Sequence, residues 1–274
     1  MTLEATCALT AALPPEAERA SRGAACAQLA VLYSTGEAGE VNHEKAYRLR
    51  DHACRLGNSG ACVLAGAALA SGDGTGRAAD QAAAYAIYTK ACEAKQAEGC
   101  LRVGAAHHRG EGAEKSPAAA LRAFLKACEL GNAAGCFNAG TMEEAGEGIE
   151  AASGDAAPSE AGAPKSTSDA ARYAKATLHY GMACSGGFPS ACYNLALVYD
   201  RGVITQERPE WAAELYRRGC DAHHPGACGG LGGLLYTGRG IAQDTTRGHE
   251  LMQDSCAKGS DWGCRLIRKH VGNK

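Results

Sequence analysis

Bulky side chains, proline and net charge are all scarce in this chain. Only 5% of its 274 residues are aromatic, and eight are proline. The 36 glycines, together with abundant alanine, favour thin helices that pack closely against one another, and not a thick core of large side chains. The formal net charge of −2 excludes the basic surface expected of a nucleic-acid-binding protein. No apolar run approaches the roughly 20 residues that a membrane-spanning helix needs.

Sequence motifs of catalysis are missing as well. There is no G-x-S-x-G nucleophile elbow, no phosphate-binding glycine loop and no H-E-x-x-H zinc motif. The glycine-rich run Gly72–Gly76 falls where turn glycines recur, so it indicates a turn. Redox enzymes commonly use a C-x-x-C pair, and the cysteine spacing here is longer and uniform. We therefore predict a protein without enzymatic activity, with thiol–disulfide exchange as the alternative.

Cysteine, in contrast, is abundant and regularly spaced. Of the 14 cysteines, twelve form pairs whose members are eight positions apart, and the pairs recur about every 36 residues apart from one 20-residue insertion. The first two cysteines form a further pair with a longer loop. Such a period is typical of a repeat protein, in which successive units stack on one another. The pairs are Cys7 and Cys26, Cys54 and Cys62, Cys92 and Cys100, Cys128 and Cys136, Cys184 and Cys192, Cys220 and Cys228, and Cys256 and Cys264.

The residues that follow the second cysteine of each pair predict a helix, here named helix A. Position +3 from that cysteine is apolar and position +4 is small, and with position +7 they mark one face of an α-helix. A glycine at +10 is expected to end the helix in the left-handed conformation, so that helix A is about ten residues long. These glycines are Gly36, Gly72, Gly110, Gly146, Gly202 and Gly238.

The residues that precede the first cysteine predict a second helix, here named helix B. Position −8 is alanine or glycine, and position −4 is bulky except for Arg50. Position −12 carries side chains that cap a helix N-terminus, and Pro117 and Pro209 suit the first helical position. In the fourth repeat, Ser168 or Asp169 takes the place of this cap. The predicted caps in the other repeats are Asn42, Asp80, Ser116 and Asp244.

Each cysteine pair would then join the end of one helix B to the start of the next helix A. Glycines such as Gly57, Gly131, Gly187 and Gly259 mark the short turn between the two helices. Antiparallel helices joined in this way bring two α-carbons within disulfide range. Closing a loop of about nine residues stabilises a fold by roughly 2.5 kcal/mol. The pattern therefore predicts disulfides that act as structural staples.

The repeat unit resembles a known family. The pattern A-C-x-x-G-x-x-x-G-C-x-x-x-G at Ala127–Gly140, followed by G-x-G and a helix that begins near Asp or Asn, is similar to the cysteine-stapled Sel1-like repeat. This resemblance implies an all-α fold, an αα-superhelix (solenoid) of tetratricopeptide-like helix hairpins, over residues 1–274 as a single domain. Residues 149–168 are rich in Ala, Ser, Gly and Pro and are expected to form a flexible insert within one repeat.

Two branches of that family are similar to this chain. One comprises the secreted Helicobacter cysteine-rich proteins, and the other is the mitochondrial branch of cytochrome c oxidase assembly factor 7. Residues 183–195 favour the second branch, as does an N-terminus without the basic and apolar regions of a secretory signal. The implied function is a scaffold in the mitochondrial intermembrane space that binds respiratory-chain assembly components, chiefly of cytochrome c oxidase. The alternative is a secreted or periplasmic interaction protein.

Candidate partner-binding residues lie at positions +7 and +8 of helix A, where we expect a concave face to hold a protein partner. His107 fills the position that tyrosine occupies in other repeats, so we expect it to pack in the groove. His223 and His224 lie in a turn, and the histidines do not supply four ligands of fixed geometry. No metal is therefore predicted, and haem stays an alternative cofactor. The candidates are Tyr33, His107, His108, Tyr199, Asp200 and Tyr236.

Overall fold

The computed structural model describes residues 2–7, 14–149, 167–204 and 206–270, and in these residues every regular element is an α-helix. The chain divides into two compact units, unit 1 over Met1–Leu130 and unit 2 over Gly131–Lys274. In both, each helix packs against the next one along the chain. The predicted all-α fold of stacked helix hairpins, the αα-solenoid class, is confirmed. The prediction that residues 1–274 form a single domain stays a prediction.

The helices of unit 1 alternate between the two predicted types. Helix A is represented by α2, α4 and α6, and helix B by α3, α5 and α7, with a short helix α1 before them. The bounds are α1 Leu3–Thr6, α2 Glu16–Thr35, α3 His43–Arg55, α4 Ser59–Ser71, α5 Gln81–Glu93, α6 Ala97–Arg109 and α7 Pro117–Glu129.

Unit 2 continues the same alternation. Helix A is represented by α8, α10, α12 and α14, and helix B by α9, α11 and α13. The bounds are α8 Ala133–Ala145, α9 Thr167–Ser185, α10 Pro189–Arg201, α11 Pro209–Asp221, α12 Pro225–Thr237, α13 Thr245–Ala257 and α14 Asp261–His270.

Helix A is longer than the sequence predicted. In α4 the helix begins at Ser59, three residues before Cys62, because the side chain of Asn58 accepts a hydrogen bond from the Ala61 amide and caps the N-terminus. Most of the segment before Cys26 is also helical, since α2 begins at Glu16. The chain that the first cysteine pair closes is longer than in the other pairs, as predicted, with a separation of 19 positions, and from Glu16 onward it is helical.

The predicted helix ends are confirmed. The glycine at +10 follows the last residue of α2, α4, α6, α8, α10 and α12 and has a positive φ, from 63° at Gly202 to 85° at Gly36. The four predicted N-caps, Asn42, Asp80, Ser116 and Asp244, each accept a hydrogen bond from an amide in the first turn of helix B. These signals are local, which is why the sequence could predict them.

Small residues at +4 of helix A allow a bulky residue of the following helix B to lie against the helix backbone. In unit 1 a Cβ on Gly104 would lie only 2.6 Å from Phe124 Cδ1. In unit 2 a Cβ on Gly140 would lie 3.0 Å from Tyr180 Cδ1. Arg50, the exception at −4, buries its Nε without an acceptor among the described residues. The core of each unit is thus a row of such close helix contacts.

The cysteine pairs close the turns between helix B and the next helix A. In six pairs the two α-carbons are 4.5–4.9 Å apart, well within disulfide range. Cys128 and Cys136 are disulfide-bonded as well, so that no cysteine is free. These six bonds join Cys7 with Cys26, Cys54 with Cys62, Cys92 with Cys100, Cys184 with Cys192, Cys220 with Cys228 and Cys256 with Cys264.

The predicted insert at 149–168 lies almost entirely outside the described residues, which resume at Thr167 with α9. That helix has 19 residues where the other helix B elements have 13, in line with the predicted extension. None of the helices in the described part of the chain combines the length and hydropathy that a membrane span requires.

Candidate interaction site

The first candidate residue, Tyr33, ties helices of unit 1 together. It lies near the end of α2 and is half-buried. Its hydroxyl donates a hydrogen bond to Glu4 Oε1 at 2.9 Å, and the ammonium of Lys45 lies 3.9 Å from the centre of its ring. The side chain therefore contacts α1 and α3, and a role in partner binding stays a prediction.

His107, on α6 of unit 1, is held by Tyr85 of the preceding helix α5 and by a backbone carbonyl that follows α6. Its Nε2 lies 3.1 Å from the hydroxyl of Tyr85, and its Nδ1 lies 3.0 Å from the carbonyl oxygen of Glu114. The Tyr85 ring packs edge-on against the imidazole, with ring centres 5.4 Å apart. His107 thus packs as the sequence predicted, while the neighbouring His108 is exposed. Among the described residues, no group of three potential ligands could hold a metal ion.

The candidates of unit 2 also lie at the ends of helix A elements and contact neighbouring helices. Tyr199 packs edge-on against Trp211, with ring centres 5.2 Å apart. Asp200 accepts a hydrogen bond from the hydroxyl of Tyr216 at 3.2 Å and pairs with Arg239.

The third candidate of unit 2, Tyr236, donates to the carbonyl oxygen of His270 at 3.2 Å. These contacts join α10 to α11 and α12 to α14. The structure therefore gives the predicted residues a packing role, and their partner-binding role stays a prediction.

His223 and His224 have separate structural roles in the turn before α12. His223 is exposed and adopts φ 62°, a conformation that usually selects glycine. His224 caps α12, because its Nδ1 accepts from the Ala227 amide at 3.2 Å, and its ring lies 4.9 Å from that of Tyr193. Burial lowers the pKa of His224, which favours the neutral imidazole that a cap requires.

Two adjacent carboxylates on α8 were missed by the sequence analysis. Glu143 is only 4% exposed, and its Oε2 lies 2.6 Å from Nδ1 of His179 on α9. Glu144 accepts from the hydroxyl of Tyr180 at 2.5 Å. Burial first, and the Glu144 charge second, raise the pKa of Tyr180 well above its usual range. Their positions, +7 and +8 in the repeat, were the only signal in the sequence.

A groove of about 1140 Å³ opens in unit 1 between α3, α5 and the loop that precedes α5. Arg48 and Arg55 line it, and each pairs with a carboxylate one turn earlier on α3, Glu44 at 2.5 Å and Asp51 at 2.7 Å. Tyr47 also lines it, and burial followed by the charge of Asp51 raises the pKa of its hydroxyl. Most of the residues that line the groove belong to helix B elements and the loop before α5, whereas the sequence predicted a site on helix A.

A cluster of two arginines and a tryptophan lies on helix A elements of unit 2. The guanidinium carbon of Arg201, at the end of α10, lies 5.6 Å from the centre of the Trp262 ring on α14. That of Arg265 lies 5.5 Å from the same ring. We name Arg201, Trp262 and Arg265 the Arg–Trp–Arg cluster. No sequence pattern predicted it, since two of its members are separated from the third by 61 and 64 positions.

Comparison with known proteins identifies the repeat. The profile described as the Sel1 repeat matches residues 23–58, 59–95, 97–132, 189–224 and 225–260. These boundaries place the two cysteines of a pair in adjacent repeats, for example Cys54 and Cys62 on either side of residue 58. No curated protein matches the chain.

Two bacterial proteins of known structure have a similar fold. A protective antigen of uropathogenic Escherichia coli, which displays an SLR fold, has a TM-score of 0.76 and 22% identity. The alignment covers 100% of this chain and 53% of that protein, so the chain spans about half the length of its relative. A Sel1 repeat protein of Oxalobacter formigenes has a TM-score of 0.70 and 21% identity, with 90% and 89% of the two chains covered.

A third structure, the Helicobacter pylori cysteine-rich protein B, belongs to the secreted branch named above. It is 23% identical over 45% of this chain and 96% of its own, with a TM-score of 0.35, which is too low to compare the two shapes. At these identities the matches show the fold alone. The resemblance to the mitochondrial branch finds no support among them.

Proposed function

Since the chain belongs to the Sel1 repeat family, we propose that it is a non-enzymatic scaffold that holds protein partners in an oxidising compartment. Sel1 repeats mediate protein–protein interaction, and proteins of this family are generally scaffolds. A thin stack of helices rich in Ala and Gly buries little apolar surface in each repeat, so it depends on other constraints to stay rigid. Rigidity matters for a scaffold because a preformed surface binds without the entropic cost of ordering.

The single observation that carries this proposal is the complete set of disulfides. Every cysteine is bonded, and five of the bonds, each between cysteines eight positions apart, close the turn between a helix B and the next helix A. Disulfides of this number form and persist in oxidising surroundings and are rare where thiols are kept reduced. Such bonds fix the angle between neighbouring helices, and hence the surface presented to a partner.

Between the two oxidising destinations, we propose a secreted or periplasmic placement. The E. coli protein with the same fold is described as a protective antigen, which agrees with a location that immune molecules can reach. The finer prediction, assistance of cytochrome c oxidase assembly in the mitochondrial intermembrane space, becomes an outcome of the test.

The placement is tested by fractionating cells that express the protein from its own gene, with alkylation of free thiols before any reductant is added. We expect recovery outside the cytoplasm with no alkylated cysteine in the intact mass. Recovery from the mitochondrial intermembrane space, with loss of oxidase activity on gene deletion, would replace our placement with the respiratory one. Cytosolic protein with alkylated cysteines would overturn the oxidising compartment itself.

The scaffold role is tested by chemical crosslinking in that compartment, followed by identification of the captured proteins by mass spectrometry. We expect the same few partners in independent crosslinking experiments and their loss when the disulfides are reduced first. A protein that instead turns over disulfides of added client proteins would be an oxidoreductase, and this result would contradict the proposal.

A further inference from the structure

The Arg–Trp–Arg cluster of unit 2 depends on an unusual helix between its members. Of the helix A elements, α12 carries glycines at positions i, i+3, i+4 and i+7, namely Gly226, Gly229, Gly230 and Gly233. A Cβ on Gly226 would lie 3.0 Å from Tyr193 of α10, and one on Gly233 would lie 3.2 Å from Leu266 of α14. Side chains from α10 and α14 therefore approach the bare α12 backbone from two directions. This close packing lets Arg201 of α10 reach Trp262 of α14.

Among the described residues, neither arginine of the cluster has a carboxylate partner. Within the described residues, no acidic oxygen lies within 4.0 Å of either guanidinium, whereas Arg217 and Arg247 in the same unit pair with Glu214 and Glu250. Arg201 and Arg265 are both exposed. Both positive charges lie within 5.6 Å of the centre of one ring, so this part of the surface is complementary to negative charge.

The surroundings of the cluster strengthen this charge. The last turn of α14 adds Arg268 and Lys269, and the first turn holds only one acid, Asp261. The charges of Arg201 and Arg265 both reach Tyr193, whose half-buried ring borders the cluster. The whole chain has a net charge of −2, so the attraction for anions is local to this cluster and does not come from the charge of the protein as a whole.

The guanidiniums of the cluster are also suited to bind a carboxylate. A guanidinium that stacks on an indole keeps its planar fork of N–H groups free for two parallel hydrogen bonds to one carboxylate. The indole Nε1 of Trp262 is buried without an acceptor in the described structure, so the exposed guanidiniums are the donors of the cluster that a carboxylate can reach. A nucleic acid would need a broad basic surface, which an acidic chain with Asp261 beside the tryptophan does not favour.

We propose that Arg201, Trp262 and Arg265 bind carboxylate side chains in an acidic segment of a protein partner. This inference rests on the proposed scaffold function and names the chemistry of the partner at one place on it. The two guanidiniums bind adjacent carboxylates, while Trp262 and Tyr193 contact the aliphatic part of the segment. Affinity should fall steeply with rising salt, because the contacts are exposed ion pairs.

The test is fluorescence anisotropy with the full-length, oxidised protein and a fluorescein-labelled hexaglutamate peptide. We expect the double variant Arg201→Gln/Arg265→Gln to bind at least tenfold more weakly than the wild type. The matched control is Arg217→Gln/Arg247→Gln, which changes the net charge equally in the same unit and should stay within twofold of the wild type. A hexaglutamine peptide should not bind to any of the three proteins.

Several results would overturn the proposal: equal losses in the cluster and control variants, no saturable binding by the wild type, or tighter binding of a short DNA duplex or of anionic lipid vesicles. If the double variant unfolds, the single variant Arg265→Gln, at an exposed position, should still weaken binding about threefold. Partner capture in the crosslinking experiment separates this inference from the scaffold role. A double variant that still captures the same partners would refute the acidic-segment site alone, and a wild type that captures none would refute the scaffold.

Discussion

Unit 1 packs Gly104 against Phe124, and unit 2 packs Gly140 against Tyr180, so the two interiors are built from the same contact. Their arginines are arranged differently. In the groove of unit 1, Arg48 and Arg55 pair with carboxylates on their own helix. In unit 2, the two arginines of the Arg–Trp–Arg cluster stack on a tryptophan and have no such partner among the described residues.

This difference separates the residues that build the repeat from those that can recognise something. The same residue types recur at interior positions because the helices are so close that a large side chain fits only opposite a small one. Exposed positions face no such requirement, so charges are free to differ between repeats. Binding sites for partners should therefore lie where exposed residues differ between repeats. Equivalent substitutions in the interiors of the two units should change the free energy of unfolding equally.

The largest expected effect on this comparison comes from removing one disulfide in each unit. Replacing both cysteines by serine at Cys92 and Cys100 in unit 1, or at Cys220 and Cys228 in unit 2, should each lower the free energy of unfolding by roughly 2.5 kcal/mol. The reason is that each bond closes a loop of the same length, with a sequence separation of 8. Urea denaturation monitored by circular dichroism measures both. A loss confined to one unit would contradict the equivalence of the two interiors.

The next effect comes from adding one methyl group at the close helix contact. Gly104→Ala should destabilise the protein by about 2 kcal/mol, because the new Cβ would lie 2.6 Å from the Phe124 ring. Gly140→Ala should cost less, because the corresponding distance to Tyr180 is 3.0 Å. Thermal unfolding of both variants shows which of them lowers the melting temperature more.

Gly181→Ala on α9 is the matched control for these two variants, since a Cβ there meets no atom within 4 Å. It should stabilise the protein by about 1 kcal/mol through higher helix propensity. Combining Gly104→Ala with Phe124→Leu should recover part of the lost stability. Equal destabilisation at Gly104 and Gly181 would show that the aromatic contact is irrelevant.

A smaller effect is expected in the turns after helix B, where each unit has one residue other than glycine in the left-handed conformation. Lys95 in unit 1 has φ 59°, and His223 in unit 2 has φ 62°. Lys95→Gly and His223→Gly should each raise the free energy of unfolding by about 1 kcal/mol, since glycine has no Cβ to clash in this conformation. Gly57→Ala, in the equivalent turn of unit 1, should have the opposite sign. Differential scanning calorimetry would reveal any departure from this pattern.

The smallest effect is a dependence on pH that belongs to unit 2. Burial lowers the pKa of the α12 cap His224, whereas the equivalent cap of α4 in unit 1 is Asn58 and does not titrate. Below the ordinary histidine pKa of about 6.5, the unfolded chain takes up a proton that the folded chain resists. Stability should therefore be constant above this pH and fall as the pH drops through it toward the lowered pKa.

The variant His224→Asn isolates that effect, since asparagine also caps helices. The drop in melting temperature between pH 7.5 and 5.5 should be smaller in this variant than in the wild type. An identical drop in both proteins would assign the pH dependence to other groups, among them His270, whose pKa burial also lowers.

Most of the repeat could be predicted from the sequence because its signals are local. The cysteine spacing, the glycine at +10 and the caps such as Asp80 and Ser116 act within one turn or one hairpin, so each can be recognised without knowing the neighbours. The start of helix A was not predicted, because the residues that mark it form no clear sequence pattern. Helix A begins earlier than expected because Asn58 caps it, and the segment before Cys26 is helical although no pattern marked it.

The partner-binding role of the candidate residues stays a prediction. The +7 and +8 positions of helix A were expected to face a partner, yet Tyr33, Asp200 and Tyr236 contact neighbouring helices. Arg201 and Arg265, which pair with no carboxylate among the described residues, occur at positions that no periodicity in the sequence indicates. A side chain's freedom to bind depends on which neighbours can reach it, and this cannot be counted along a single chain.

The sequence by itself determined the repeat, its helix ends and the pairing of cysteines, because those features arise between residues a few positions apart. Only the tertiary structure decided which distant side chains meet, such as Arg201 with Trp262 and Glu143 with His179. It also decided that Arg50 buries its Nε with no acceptor among the described residues. The physical reason is that such meetings depend on how closely and at what angle successive helices pack. Many small contacts together determine that angle, and those made by the glycine face of α12 are among them.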